Sequence, residues 1–235
     1  MVTTVLVLWD IDHTLIETRG VGSEVFAAAF EAATGRPLDH APDPSGKLEP
    51  RLFAAACDAN GIEVTAGLFD AFAQAQAREY RRREADLLAR GRVLPGAREV
   101  LTTMAITPGV VQTVLSGNTL RSGRVKLEIY GLAPLLDPAC AVGGEDADTR
   151  PALVPAAWDR VAAVHGREFG PADTVVIGDT PADVETALRN GCRLVAVATG
   201  NASAGELHDA GARMVLPSLS DHAAALGAIL GPGGW

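Results

Sequence analysis

The sequence predicts an α/β protein, a doubly wound parallel sheet with an inserted α-helical cap. Three observations point there. Short β-branched apolar runs alternate with helical stretches, as βαβ units require. The runs are nearly continuous rather than alternating, which suits strands buried on both faces of a parallel sheet. A long segment from Gly22 to Ala89, with helical patterns and no strand pattern, breaks the alternation after the first strand.

Strands are expected at Val2–Trp9 (VTTVLVLW), Val110–Leu115 (VVQTVL), Thr174–Ile177 (TVVI), Leu194–Val197 (LVAV) and Arg213–Leu216 (RMVL), with a weaker one at Ala139–Val142 (ACAV). Helical patterns between them run Ala97–Met104, Leu120–Tyr130, Leu153–His165 and Pro181–Asn190. In the interrupting segment, alanine-rich patterns cover Ser23–Ala33, Glu49–Ala59 and Ala66–Leu88. Phe26, Phe30 and Ala33, and likewise Leu68, Phe72 and Ala75, keep the apolar spacing of a helix face. Gly- and Pro-rich connectors separate these helices at Gly35–Pro50 and Gly61–Thr65. The division expected is a core of residues 1–16 and 93–235 with a cap of residues 17–92, and a frayed tail at Gly231–Trp235.

The 235 residues are 48% hydrophobic and 21% charged, an ordinary globular composition that excludes a disordered or fibrous chain. A net charge of -9, from 20 Lys and Arg against 29 Asp and Glu, argues against nucleic-acid and anionic-membrane binding. An anionic substrate would need a local cation or a metal. Cys57, Cys140 and Cys192 are scattered without C-x-x-C spacing, so neither a disulfide framework nor a zinc site is expected. The N-terminal run has no basic leader, and no apolar stretch reaches the roughly 18 residues of a membrane span. A soluble, cytoplasmic protein is the expectation.

The chemistry gathers at strand ends, where open α/β sheets bind ligands. The first strand leads into Asp10-Ile11-Asp12-His13-Thr14. Two carboxylates at i, i+2 there repel each other unless a cation or proton sits between them. A capping turn would use Asp too. The second strand ends in Ser116-Gly117-Asn118-Thr119, which makes a small oxyanion nest or a helix N-cap. A third strand, Thr174–Ile177, leads into Gly178-Asp179-Thr180-Pro181-Ala182-Asp183. Asp183 suits the first turn of a helix through its dipole, whereas Asp179 at a buried strand end is better explained by a metal. Arg150 precedes the helix leading to that strand and would clamp an anion or stand solvated beside Asp146 and Asp148.

Together and in this order, these residues resemble the haloacid dehalogenase superfamily over essentially the whole chain. The family's D-x-D-x-T/V, Ser/Thr, Lys/Arg and G-D-x-x-x-D motifs match Asp10/Asp12, Ser116, Arg150 and Asp179/Asp183. The resemblance implies an Asp10 nucleophile, an Asp12 acid and base, and a magnesium ion held by Asp10, the Asp12 carbonyl and Asp179. Asp183 joins that metal group or orients Arg150 from behind it. Ser116, Arg150, Gly117, Asn118 and Thr14 would hold the phosphoryl group. An acid at Asp12 favours a phosphatase or phosphomutase over a dehalogenase or phosphonatase. The expected activity is hydrolysis of a small soluble phosphomonoester by a monomer or homodimer, with a β-phosphoglucomutase-like enzyme or a silent binding protein as alternatives.

Three residues depart from the family pattern or compete within it. His13 stands where the family commonly has Gly and is expected to point to solvent. Arg150 replaces the commoner Lys, and Lys126 is its rival, although its mid-helix place puts it on a surface face. Among cap residues, Glu17, Arg19, Ser45, Lys47 and Arg51 are the specificity candidates, with Lys47 and Arg51 able to read a second anionic group. Arg81–Arg83 is expected to be a solvated helix face paired with Glu79 and Glu84.

Overall fold

The computed structural model describes residues 4–231, so the start of the Val2–Trp9 run and the tail beyond Gly231 lie outside the described residues. Strands β1 (Val5–Trp9), β4 (Val110–Val114), β5 (Thr174–Gly178), β6 (Arg193–Val197) and β7 (Val215–Leu216) form one parallel sheet in the order β4-β1-β5-β6-β7. All five residues of β1 are buried, as a central strand requires. Odd and even positions go to opposite faces. Val5, Val7 and Trp9 join one apolar cluster with α5 (Ala97–Ala105), α6 (Leu120–Ile129) and α10 (His222–Leu230). Leu6 and Leu8 join the other with α7 (Leu153–His165) and α8 (Pro181–Arg189).

Register positions the site. Trp9 lies opposite Val114 on one side and Ile177 on the other. The residues that follow these three, Asp10, Ser116 and Asp179 among them, therefore leave the sheet at one edge.

The other passages of chain depart from expectation for local reasons. Ala139–Val142 is not a strand; only a bridge between Leu115 and Val142 forms. Pro138 lacks an N–H, and the Asp137 carboxylate turns the chain by accepting from the Ala139 N–H at 2.9 Å. Arg213–Leu216 shortens to β7. Ala66–Leu88 is two helices, α3 (Leu68–Arg82) and α4 (Glu84–Arg90), broken at Arg83. The Arg83 guanidinium reaches Glu24 of α1 (Val21–Thr34) at 2.9 Å. The sequence reading placed no helix at α9 (Ala204–Asp209) or α10, although Ser203 and Glu206 make a capping box at the first.

Helices α1, α2 (Glu49–Ala59), α3 and α4 make a lobe with its own core, built on Phe26, Phe30, Phe53 and Phe72. The chain enters and leaves it through an antiparallel ribbon of β2 (Ile16–Glu17) and β3 (Arg92–Val93). The Glu17 carboxylate pairs with Arg92 across that ribbon at 2.9 Å. The lobe rests on α6. Arg81 is exposed as expected but pairs with Glu128 of α6, while Arg82 pairs with Glu79 at 2.7 Å. Among the described residues, no helix is long and apolar enough to cross a membrane.

Phe72 is fully buried, with its ring centroid 4.6 Å from that of Phe53 and 4.9 Å from that of Phe26. Phe72→Ala is expected to destabilise the protein by about 3–5 kcal/mol, read from urea unfolding, because the cavity has no neighbour free to fill it. A loss below about 1 kcal/mol would show that the lobe repacks.

Candidate active site

Asp10 follows β1, and its N–H donates to the Ile177 carbonyl at 2.9 Å, which fixes the strand exit. Its Oδ1 accepts from the Ser116 hydroxyl at 3.1 Å and from Arg150 Nη2 at 2.7 Å. The same guanidinium gives Nε at 3.0 Å and Nη2 at 2.7 Å to Asp183 Oδ1. Arg150 Nη1 has no hydrogen-bond partner among the described residues, and Arg150 lines the cavity. Asp183 lies in the first turn of α8, where its Oδ2 accepts from the Thr180 N–H and hydroxyl. Of the two places expected for Asp183, in the metal group or behind Arg150, its hydrogen bonds put it beside Arg150. Gly178 makes the close packing possible, since a Cβ there would lie 2.2 Å from Asp183 Cγ.

A second cation serves the second acid. Lys126 is only 3% exposed, so the surface-face expectation is wrong. Its Nζ donates to Asp12 Oδ2 and to Asn118 Oδ1, each at 2.7 Å, and stands 4.9 Å from the centre of the Tyr80 ring. Asn118 Nδ2 also donates to Asp12 Oδ2 at 2.7 Å and to the Ser116 hydroxyl at 2.9 Å. The Asn118 side chain, expected among the phosphate ligands, lines the cavity with its amide bonded to Asp12 and Ser116. A signal for Lys126 was present in the sequence: Ser122, Lys126 and Tyr130 recur at i, i+4, and all three are buried. Burial alone would lower the Lys126 ammonium, but the charge and hydrogen bond of Asp12 together with Tyr80 and Glu49 outweigh it and leave it raised. Burial would raise the Asp12 carboxyl; the Lys126 charge and the donated hydrogen bonds hold it below its ordinary value.

Asp179 is 2% exposed, and its Oδ1 accepts from the Thr14 hydroxyl at 3.1 Å. Thr14 thus steadies Asp179 and does not line the cavity, where the resemblance had put it among the phosphate ligands. His13 sits half-buried at the cavity wall rather than pointing to solvent. Its φ of 61° is in the left-handed region, which accounts for Gly being common at this turn.

These groups open into one cavity of about 800 Å³ between the sheet edge and the helical lobe. Lys47, Ser45 and Arg19 line it, along with Phe26, Glu49, Gln76 and Tyr80, which the sequence reading had not singled out for the site. Glu17 stays in the ribbon with Arg92. Arg51 does not line the cavity; it is exposed and 3.9 Å from Asp148, because it faces away on α2. The connector bearing Lys47 is pressed onto the strand-end loop, and a Cβ on Gly117 would fall 2.3 Å from the Lys47 carbonyl oxygen.

Residues 7–188 match the haloacid dehalogenase-like hydrolase family. The chain belongs to that family. Among solved structures it is similar to a hydrolase from Pseudomonas syringae, with 21% identity, 96% of this chain and 99% of that one covered, and a TM-score of 0.69. It is also similar to a predicted phosphoglycolate phosphatase from Haemophilus somnus, with 18% identity, 95% and 98% covered, and a TM-score of 0.66. A candidate β-phosphoglucomutase from Bacteroides vulgatus gives 20% identity, 97% and 90% covered, and a TM-score of 0.66. At these identities the likeness speaks for the fold. No curated protein matches the chain.

The acidic edge of this haloacid dehalogenase-like hydrolase suits a hard divalent cation. Burial pushes the Asp179 carboxyl well up, and repulsion from Asp10 and Asp183 adds to it. Burial likewise pushes Asp10 up against the pull of Arg150. These oxygens lack positive charge, and magnesium, bound by oxygen donors, fits the set. Gly200 leaves the room, since a Cβ there would lie 1.8 Å from Asp179 Oδ2.

Arg150→Met leaves Asp10 and Asp183 buried without their cation. It is expected to cost about 3–5 kcal/mol in urea unfolding with chelator present. Arg51→Ala, at an exposed site, should stay within about 0.5 kcal/mol. Similar losses in both would show that the Arg150 pair contributes nothing particular.

Proposed function

We propose that this hydrolase is a magnesium-dependent phosphatase that hydrolyses a small soluble phosphomonoester through an aspartyl-phosphate on Asp10. The observation that carries the reading is the separation of the two acids. Asp10 faces Arg150 and Ser116, while Asp12, two residues away, has its own cation in Lys126. Carboxylates in distinct environments take distinct roles.

In the first step an Asp10 oxygen attacks phosphorus and the P–O bond to the leaving group breaks. Asp12 gives the departing oxygen, through Oδ1, the proton it took from water in the preceding turnover, since Oδ2 is occupied by Lys126 and Asn118, whose pull on Asp12 makes that proton easy to give up. In the second step water attacks the aspartyl-phosphate, Asp12 takes its proton, and phosphate leaves with the Asp10 carboxylate restored. Arg150 Nη1 and the Gly117 backbone receive the phosphoryl oxygens as charge develops. Asp10, Asp179 and the Asp12 carbonyl would hold magnesium, which supplies the charge neutralisation that lets an anionic nucleophile meet an anionic ester.

The division into a core of residues 1–16 and 93–235 and a cap of residues 17–92 belongs to this reading. It is supported by the β2–β3 ribbon, which pairs Ile16 with Val93 and Glu17 with Arg92. The overall negative charge supports a small-molecule substrate over nucleic acid.

Phosphate release from a panel of phosphomonoesters should require magnesium and stop with chelator. Asp10→Asn should lower it by about 10³-fold or more with the fold intact by circular dichroism. A retained rate sinks the nucleophile assignment, and phosphate transfer without net release would instead identify a phosphomutase. Lys126→Met should lower kcat by about 10²-fold with a smaller change in KM, because it loosens the acid and base rather than the phosphate site. A change in KM alone would return Lys126 to substrate binding.

A further inference from the structure

We propose that Glu49 and Gln76 form a hydroxyl-reading subsite beside the Asp10–Asp12 pair, which commits this enzyme to phosphate esters of sugars or other polyols. The proposal rests on the phosphatase reading for its reaction and on the lobe for its specificity.

Glu49 and Gln76 are 8% and 2% exposed, yet both line the cavity. Their orientation is set by a chain of donors. The Ser122 hydroxyl of α6 donates to Gln76 Oε1 at 2.6 Å, and Gln76 Nε2 donates to Glu49 Oε1 at 2.6 Å. With Glu49 ionised the amide cannot be turned over, because its oxygen would then face a carboxylate that offers no N–H or O–H. The main chain holds the same residue from the other side: the Glu49 N–H donates to the Gly117 carbonyl at 2.8 Å. The acid is therefore fixed both to the lobe and to the strand-end loop beneath it.

What it lacks is a cation of its own. Lys126 is near enough for its charge to act on Glu49, but its hydrogen bonds go to Asp12 and Asn118 and its remaining side faces Tyr80. Glu49 Oε2 has no hydrogen-bond partner among the described residues. That oxygen keeps access to the cavity, so a donor on a bound ligand can complete it.

The chemistry of that donor can be narrowed. Burial pushes the Glu49 carboxyl up to about 7, so both protonation states are present near neutral pH. A hydroxyl serves either state, donating to the carboxylate or accepting from the acid. An ammonium serves only the carboxylate. A substrate carboxylate serves only the acid, and it would add a negative charge beside Asp12. A cavity of about 800 Å³ has space for a polyol or a hexose.

The test compares matched esters with magnesium present: glycerol 3-phosphate against propyl phosphate, and glucose 6-phosphate against cyclohexylmethyl phosphate, with phosphoglycolate alongside. For wild type, kcat/KM for at least one polyol ester should exceed that of its hydroxyl-free partner by about 10²-fold or more, and exceed phosphoglycolate. Glu49→Leu should shrink that ratio at least tenfold. Ser122→Ala, which frees Gln76 to turn, should shrink it by less, and it decides the matter if Glu49→Leu fails to fold. Equal rates within both pairs, a preference for phosphoglycolate, or a ratio unmoved in the variants would overturn the subsite. If no ester is turned over, the phosphatase reading fails by itself. Calorimetric binding of the same pairs to wild type then decides the subsite, equal affinities overturning it.

Discussion

The structure depends on the crowding of carboxylates at one buried edge of a parallel sheet. Asp10, Asp12, Asp179 and Asp183 are brought there because β1 and β5 run side by side in register and end together. Four such groups cannot all be ionised in a low-dielectric pocket without compensation. The chain supplies two cations, one from the turn before α7 and one from within α6, and gives each a separate acid. Arg150 spans Asp10 and Asp183; Lys126 holds Asp12. The part of the cluster left without a protein cation is Asp179, with one face of Asp10, and that is where a divalent ion fits.

This division explains why two cations are both buried when one motif position calls for one. A guanidinium forks, so Arg150 can be held by Asp183 and still present an N–H to the cavity. An ammonium is a compact charge. Lys126 is surrounded by Asp12, Asn118 and Tyr80, which suits it to holding an acid in place and leaves it little to offer a substrate. Rivals for one task by sequence position, the two residues stand on different elements beside different acids.

Much of this was legible in the sequence. Apolar β-branched runs located the five strands, since a fully buried strand leaves few alternatives, and the strand ends carried the chemistry. Local pattern failed where tertiary contacts decide. A lysine among charged neighbours reads as surface; that Lys126 lies under Tyr80 depends on a helix some forty-six residues earlier in the chain. Thr14 and Asp183 were marked by motif positions, but no local pattern shows that their hydrogen bonds go to Asp179 and Arg150. Arg51 looked like a substrate reader because it is near Lys47 in sequence, but half a turn of α2 sends it outward. Glu49, four residues past Ser45 at the start of α2, carried no motif at all.

The lobe is accordingly a wall of the site and not merely a cover over it. Tyr80 closes one side of the Lys126 ammonium, Gln76 is oriented by Ser122, and the Glu49 N–H is bonded to Gly117. Each contact joins a lobe residue to a core residue already committed to the acids or to the strand-end loop. Swinging the lobe away on its two-residue ribbon would break all three at once. It would admit water to Lys126, weaken its hold on Asp12 through screening, and release Glu49 from the loop. An arrangement of this kind ties the organisation of Asp12 to the presence of the lobe, so a substrate that keeps the lobe in place by filling the cavity also keeps the acid in position to act on it.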